Sequence, residues 1–152
     1  MGNLKYIGTV DFHGSVDVTD PCYRKSSHCR INDIVVKNGL YKAYVVYERK
    51  TVQTVEVVHE SIDRVNALLP LPYKKIGTIG VDAGLAGFFH DKPDFETDSE
   101  WMAFCSKVNG KDYAIVEYGV CSVSGYGDGM YPVYAARDKE GNIIALRIRY
   151  EW

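Results

Sequence analysis

At 152 residues, with 46% hydrophobic and 25% charged residues, the chain is long enough for one globular domain with a sizeable core and too apolar for disorder. Its formal net charge of -2 provides no basic field, which excludes extended nucleic acid as a nonspecific partner. No stretch approaches the ~20 apolar residues of a bilayer span, MGNLKYIGTVDF lacks a signal-peptide run, and Tyr6 stands where myristoylation needs Ser or Thr; the expectation is a cytoplasmic protein with no membrane partner.

Period-two alternation dominates from the start. IGTVDFHGSVDVTDP, residues 7–21, predicts a strand, a tight turn at Gly14 and a return strand. It closes on Asp20-Pro21-Cys22-Tyr23, where Pro21 opens a helical turn with Asp20 as its cap. A thiol just inside such a turn feels the positive end of its dipoles, which lowers its pKa and makes Cys22 the candidate nucleophile. No His is tied to Cys22 by a recognisable pattern to act as base, and a small buried thiol beside a capping Asp explains the same residues. Cys22, Cys29, Cys105 and Cys121 lack the CxxC clamps of zinc sites, and a cytoplasmic chain keeps them reduced. His28 beside Cys29, with His13, His59 and His90 elsewhere, leaves only a composite zinc site to consider.

INDIVVKNGLYKAYVVYE places Asn38-Gly39 between two strand-like runs and predicts a hairpin there. Tyr41, Ala43, Val45 and Tyr47 fall on one face of the second run, and TVQTVEVVH continues in the same style. HESIDRVNALLP carries Ile62, Val65 and Leu69 at helical spacing before Pro70 and predicts a short helix. IGTIGVDAGLAGFFHDKP, residues 76–93, repeats the Ile-Gly-Thr opening, the Gly and the acidic–proline close of residues 7–21, and so predicts a second hairpin of the same kind. In FETDSEWMAFCSKVNG, Thr97 and Glu100 form a capping box, Trp101, Phe104, Cys105 and Val108 share a face, and Gly110 supplies the stop of a helix. SVSGYGDGMYPVYAARDKEGNIIALRIRY adds a Gly-rich loop and a hairpin around Asp138–Asn142.

These elements predict a mostly-β fold, an antiparallel β-sandwich or open barrel with one or two short helices, as a single domain over residues 1–152. Three turns are marked by Gly and Asp, around Gly14–Asp20, Asp82–Gly84 and Gly125–Gly129. They are expected to share one rim, with Asp20, Asp82 and Asp128 within about 10 Å. The Gly-Tyr-Gly-Asp-Gly loop, Gly125, Tyr126, Gly127 and Asp128 onward, supplies either an anion-cradling nest or only turn geometry before Tyr131. The three Asp residues are candidate Ca²⁺ ligands, although no cofactor is assigned and isolated turn Asp residues usually bond their own backbone. Tyr23, Tyr126 and Tyr131 offer flat platforms near strand ends, with Arg24, Lys25 and Arg30 to meet phosphate. The candidate ligand-binding set is therefore Asp20, Tyr23, Asp82, Gly84, Gly125, Tyr126, Gly127, Asp128 and Tyr131.

The segments VDVTDPCYRKSSHC, NGLYKAYVVYE, VDAGLAGFF and SVSGYGDGMYPVY, in that order, resemble a family of bacterial and phage proteins of unknown function catalogued as DUF 4241. The resemblance spans most of the chain and is most specific at Asp-Pro-Cys-Tyr and Ser-Gly-Tyr-Gly-Asp-Gly. It implies no activity; it puts Asp20, Cys22, Tyr23, Asp82, Gly84, Gly125, Gly127 and Asp128 on a shortlist without roles. Relatives are expected to carry an aromatic where this chain has His28, which argues against a metal role for that residue.

Three functions remain open. The first is a non-catalytic domain that binds a small polar or nucleotide-like ligand, which the family's spread would place in bacteria–phage conflict as a sequestering protein. The second is a hydrolase dependent on Cys22 or on an Asp-bound metal. The third is a protein-interaction module, an inhibitor or immunity protein, that binds through an edge strand or aromatic patch and is open to homo-oligomerisation.

Overall fold

The computed structural model describes residues 3–63 and 70–150. Eleven strands and one α-helix are found there: β1 (Asn3–Phe12), β2 (Ser15–Thr19), β3 (Ile31–Val35), β4 (Gly39–Glu48), β5 (Thr51–His59), β6 (Lys74–Val81), β7 (Leu85–Phe89), α1 (Asp98–Val108), β8 (Tyr113–Val116), β9 (Gly119–Val123), β10 (Gly129–Arg137) and β11 (Ile143–Arg149). They form two antiparallel sheets, β1-β4-β5-β11-β10-β6 and β3-β2-β7-β9-β8. The fold is a β-sandwich and does not close into a barrel. Val65 and Leu69 of the helix predicted before Pro70 lie outside the described residues.

Alternation decides the layers. Tyr41, Ala43, Val45, Val55, Val57, Val133, Leu146 and Ile148 of the larger sheet meet Val16, Val18, Phe88 and Val120 of the smaller one in a shared core, the inner-face arrangement of a sandwich. The outer face of the smaller sheet is covered by α1, whose Phe104 and Val108 pack on Leu85, Phe89, Ala114, Val116 and Cys121. On the outer face of the larger sheet, Ile62, Leu71 and Tyr73 cover Tyr44, Val58, Ala136 and Ala145. Thr97 caps the helix as expected, the Glu100 N–H donating to Thr97 Oγ1 at 3.2 Å, while Glu100 Oε1 reaches one residue beyond the cap and accepts from the Glu96 N–H at 3.1 Å.

Three predicted hairpins are in fact corners. β1 and β2 do not pair with each other; β1 pairs with β4 and β2 with β3, so Asn38-Gly39 connects strands of different sheets. The four strands make one long ribbon that bends where Gly14 N–H donates to Asn38 Oδ1 at 2.7 Å and Val36 N–H donates to the Gly14 carbonyl at 3.1 Å. Residues 76–93 do the same, β6 pairing with β10 and β7 with β9; this second ribbon bends at 82–84 and 124–128. Period-two alternation is identical for a strand that returns beside its neighbour and one that crosses to the facing sheet. The hairpin around Asp138–Asn142 is a true one, β10 on β11.

The repeat in the sequence is therefore structural. Strand order reads β1-β4-β5 from one edge of the larger sheet and β6-β10-β11 from the other. The halves meet through β5 on β11 and β2 on β7. The β2–β7 register, Asp17 to Phe89, Val18 to Phe88 and Thr19 to Gly87, maps onto itself when 15–19 and 85–89 are exchanged. Each ribbon has a left-handed corner glycine, Gly14 at φ 84 and Gly84 at φ 70. The approximate two-fold puts these two corners at opposite ends of the sandwich, so the turn at Gly14 lies away from Asp20 and the other Gly/Asp turns.

Candidate functional site

Asp20, at the end of β2, reaches the second ribbon's corner. It is fully buried, its Oδ2 accepts the Asp82 N–H at 2.8 Å and the Ala83 N–H at 2.6 Å, and its Oδ1 accepts the Cys22 N–H at 2.9 Å. The carboxylate is thus committed to three backbone amides, the use of a turn Asp weighed above. The Ser124 N–H donates to the Gly84 carbonyl at 2.9 Å, which places Asp20, Asp82, Gly84 and the 125–129 loop on one rim. Gly14 is absent from that rim, as the two-fold requires.

The Gly125–Gly129 loop is the outer strand of this corner. Gly125, Gly127 and Gly129 have φ of 53, 86 and 158. The Gly127 carbonyl accepts from Ser124 Oγ at 2.6 Å and from the Tyr131 hydroxyl at 2.8 Å. Tyr131 is fully buried and belongs to the core; burial, then Asp128, raises its pKa. Tyr126 is exposed at 47%, and Asp82 and Asp128 are exposed as well. The loop's geometry is accounted for by the bend of the ribbon. Among the described residues no three His, Cys, Asp or Glu side chains gather into a group able to hold a metal ion.

Beside the rim, the 20–30 segment lies against the segment leading into α1. Arg24 Nη2 donates to both carboxylate oxygens of Glu96, at 3.0 and 3.1 Å. The Lys25 N–H donates to Asp94 Oδ1 at 2.7 Å. Lys25 Nζ pairs with Asp17 at 2.8 Å and Asp33 at 3.0 Å, and Arg30 Nη2 pairs with Asp17 at 2.9 Å. All three cations expected to meet phosphate are held by carboxylates.

Between these segments opens a cleft of about 270 Å³ lined by Cys22, Phe95, Glu96, Thr97, Asp98 and Trp101. The Phe95 and Trp101 rings lie 5.7 Å apart at 54°, and Trp101 stacks on Phe104 at 5.9 Å. Cys22 is half-buried, and burial followed by the Asp20 carboxylate pushes its thiol up to about 12. That is opposite in direction to the lowering expected from the turn: burial first, and then the carboxylate that caps the turn, disfavour the thiolate more than the turn's amides favour it. The Tyr23 hydroxyl and the Cys29 side chain both lie beside Gly80; burial pushes the Tyr23 hydroxyl too up to about 12. In sequence Trp101 was legible only as part of a core face and Thr97 only as a helix cap, and nothing singled out Glu96 or Asp98. Phe95 sits in a run, KPDFET, with no periodicity to expose its role.

No described helix is long and apolar enough to cross a membrane. No curated protein matches the chain, and no solved structure does. The model of the family described as "Protein of unknown function (DUF4241)" matches residues 32–148, the β3–β4 half of the first ribbon and nearly all of the second, and the chain belongs to that family.

Proposed function

We propose that the protein is a small-molecule-binding domain whose ligand seats in the cleft between the 22–25 turn and the first turn of α1. The observation that supports it is the juxtaposition of the angled Phe95 and Trp101 rings with the polar edge of Glu96, Thr97 and Asp98. A molecule with a flat apolar face and a hydrogen-bond donor or positive group matches that lining. A volume of about 270 Å³ is near the lower bound of usual ligand pockets, ~300 Å³, which points to a small ligand. Phosphate is disfavoured, because Arg24, Lys25 and Arg30 would have to leave their carboxylates. Cys22 is a poor nucleophile at neutral pH with its thiol near 12. Sequestration of a small signal, rather than its turnover, is the role that fits.

Trp101 and Trp152 are the tryptophans of the chain, so Trp152→Phe leaves Trp101 as sole reporter. Titrating that protein with benzylamine is expected to give a saturable emission change, abolished when Cys22→Phe fills the cleft. A response that never saturates, or one that survives Cys22→Phe in a folded protein, defeats the proposal.

A further inference from the structure

The two halves match residue by residue. Gly39, Tyr41 and Tyr44 of β4 recur as Gly129, Tyr131 and Tyr134 of β10, and both edge pairings slip at the same point: Ile7 is skipped between Tyr6 and Gly8, and Ile76 between Lys75 and Gly77. That superposition carries Lys5 onto Lys74 and Tyr47 onto Arg137. In the first half, the lead into β8 occupies the space beside this pair. Asp112 Oδ2 accepts from the Tyr47 hydroxyl at 2.9 Å, and the Lys5 ammonium lies over the Tyr113 ring, 5.1 Å from its centroid. The two-fold exchanges β2 with β7 and β3 with β9, and so leaves β8 without a counterpart beside β3.

In the second half the matching space is a cavity of about 200 Å³ lined by Pro72, Lys74, Ile76, Ala135 and Arg137. The β3 edge runs past it: Ile31 packs against Gly77, Val36 bridges to Ile143, the partner of Arg137, and Val35 is 74% exposed. The charged groups of the lining are both cations. Arg137 donates to the Gly141 carbonyl at 2.9 Å, and among the described residues no carboxylate pairs with Arg137 or Lys74, whereas Arg24, Lys25 and Arg30 all have one. Asp33, the carboxylate on β3, is held by Lys25 at 3.0 Å. Where Tyr47 offers Asp112 a neutral hydroxyl, Arg137 offers a guanidinium, whose bond to a carboxylate is charge-assisted. We propose that this cavity and the β3 edge form a docking surface for an extended acidic segment of a partner protein. The segment adds to β3 as a strand and brings a carboxylate to Arg137 and an aromatic ring to Lys74, as Asp112 and Tyr113 do for Tyr47 and Lys5. A lysine at a sheet edge discourages indiscriminate pairing, and opposite charge selects the strand that it admits. The surface shares no lining residue with the cleft, so the two readings stand or fall separately.

The probe is the chain's own segment as a fluorescein-labelled peptide, NGKDYAIVE, residues 109–117, titrated with the whole chain and followed by anisotropy. Saturable binding is expected, weakened at least about tenfold by Arg137→Glu or Lys74→Glu in the protein or by Asp112→Asn in the peptide, the scale of one charged contact. Lys139→Glu, which reverses an exposed cation outside the cavity, is expected to leave the affinity unchanged, and a peptide with Asp112→Lys is expected to recover binding to the Arg137→Glu protein. Absence of saturation overturns the proposal, as does an affinity indifferent to Arg137→Glu, the result if the peptide only displaces β8 from its own place. Equal weakening by Lys139→Glu marks general charge attraction and overturns it too. Sedimentation velocity is run in parallel: a wild-type dimer that Arg137→Glu converts to monomer assigns the surface to a second copy of this chain and overturns the foreign partner.

Discussion

Gly125 and Gly127 share a left-handed backbone, φ 53 and 86, yet their surroundings differ. A Cβ on Gly125 would overlap the Val52 carbonyl oxygen, while one on Gly127 would meet nothing within 4 Å. Gly127→Ala therefore costs only backbone strain, roughly 1–2 kcal/mol, whereas Gly125→Ala must also move β5 and is expected to cost about 3 kcal/mol or more. Urea unfolding of the two variants measures the gap, and equal losses would mean that the close approach to Val52 relaxes without cost. Both glycines were legible as turn residues, but only coordinates distinguish a glycine needed for φ from one needed for space. Cys22 illustrates the same limit. Its place after Asp20-Pro21 is visible in sequence, but its pKa shift is set first by burial and then by the Asp20 carboxylate, and sequence records neither the burial nor the direction of that carboxylate.

Capping chemistry is local, so α1 was legible from Thr97, Glu100 and Gly110 alone. The β4–β5 turn was not marked by any usual residue. Arg49 and Lys50 occupy it with φ of 53 and 67, between Glu48 and Thr51, which pair with each other. This is a two-residue connection with both central residues left-handed, the geometry for which Asn-Gly is favoured. Replacing Arg49-Lys50 by Asn-Gly is expected to raise stability by about 1 kcal/mol, net of the extra freedom glycine gives the unfolded chain. For a chain of this length that is roughly 3 °C in melting temperature. A thermal scan showing no gain would mean that the positive φ values carry no strain here. Strand existence was readable except at β8 and β9, where runs of four and five residues were too short to stand out; partner choice was not, because the alternation of Ile31–Val35 and Gly39–Glu48 is the same whether they face or flank each other.

At the scale of the whole molecule, Asp20 ties the two ribbons together, its carboxylate extending from the tip of the first to the corner of the second. Asp20→Asn puts an amide donor against backbone N–H groups in a fully buried place, an expected loss of about 2–3 kcal/mol. Asp128→Asn, on the exposed face of the same rim, is expected to change stability by less than about 0.5 kcal/mol. If denaturation midpoints of the two variants coincide, the clasp does not hold the rim. The repeated Ile-Gly-Thr segments announced the kinship of the halves, but not that their bends fall at opposite ends. The two-fold is broken most plainly in one connection: β7 leads to β9 through α1 and β8, whereas β2 leads to β3 through the 20–30 segment alone. The cleft forms between these unequal connections, and the symmetry operation carries it onto no equivalent. The proposed binding therefore predicts one ligand per chain, although the chain has two matching halves.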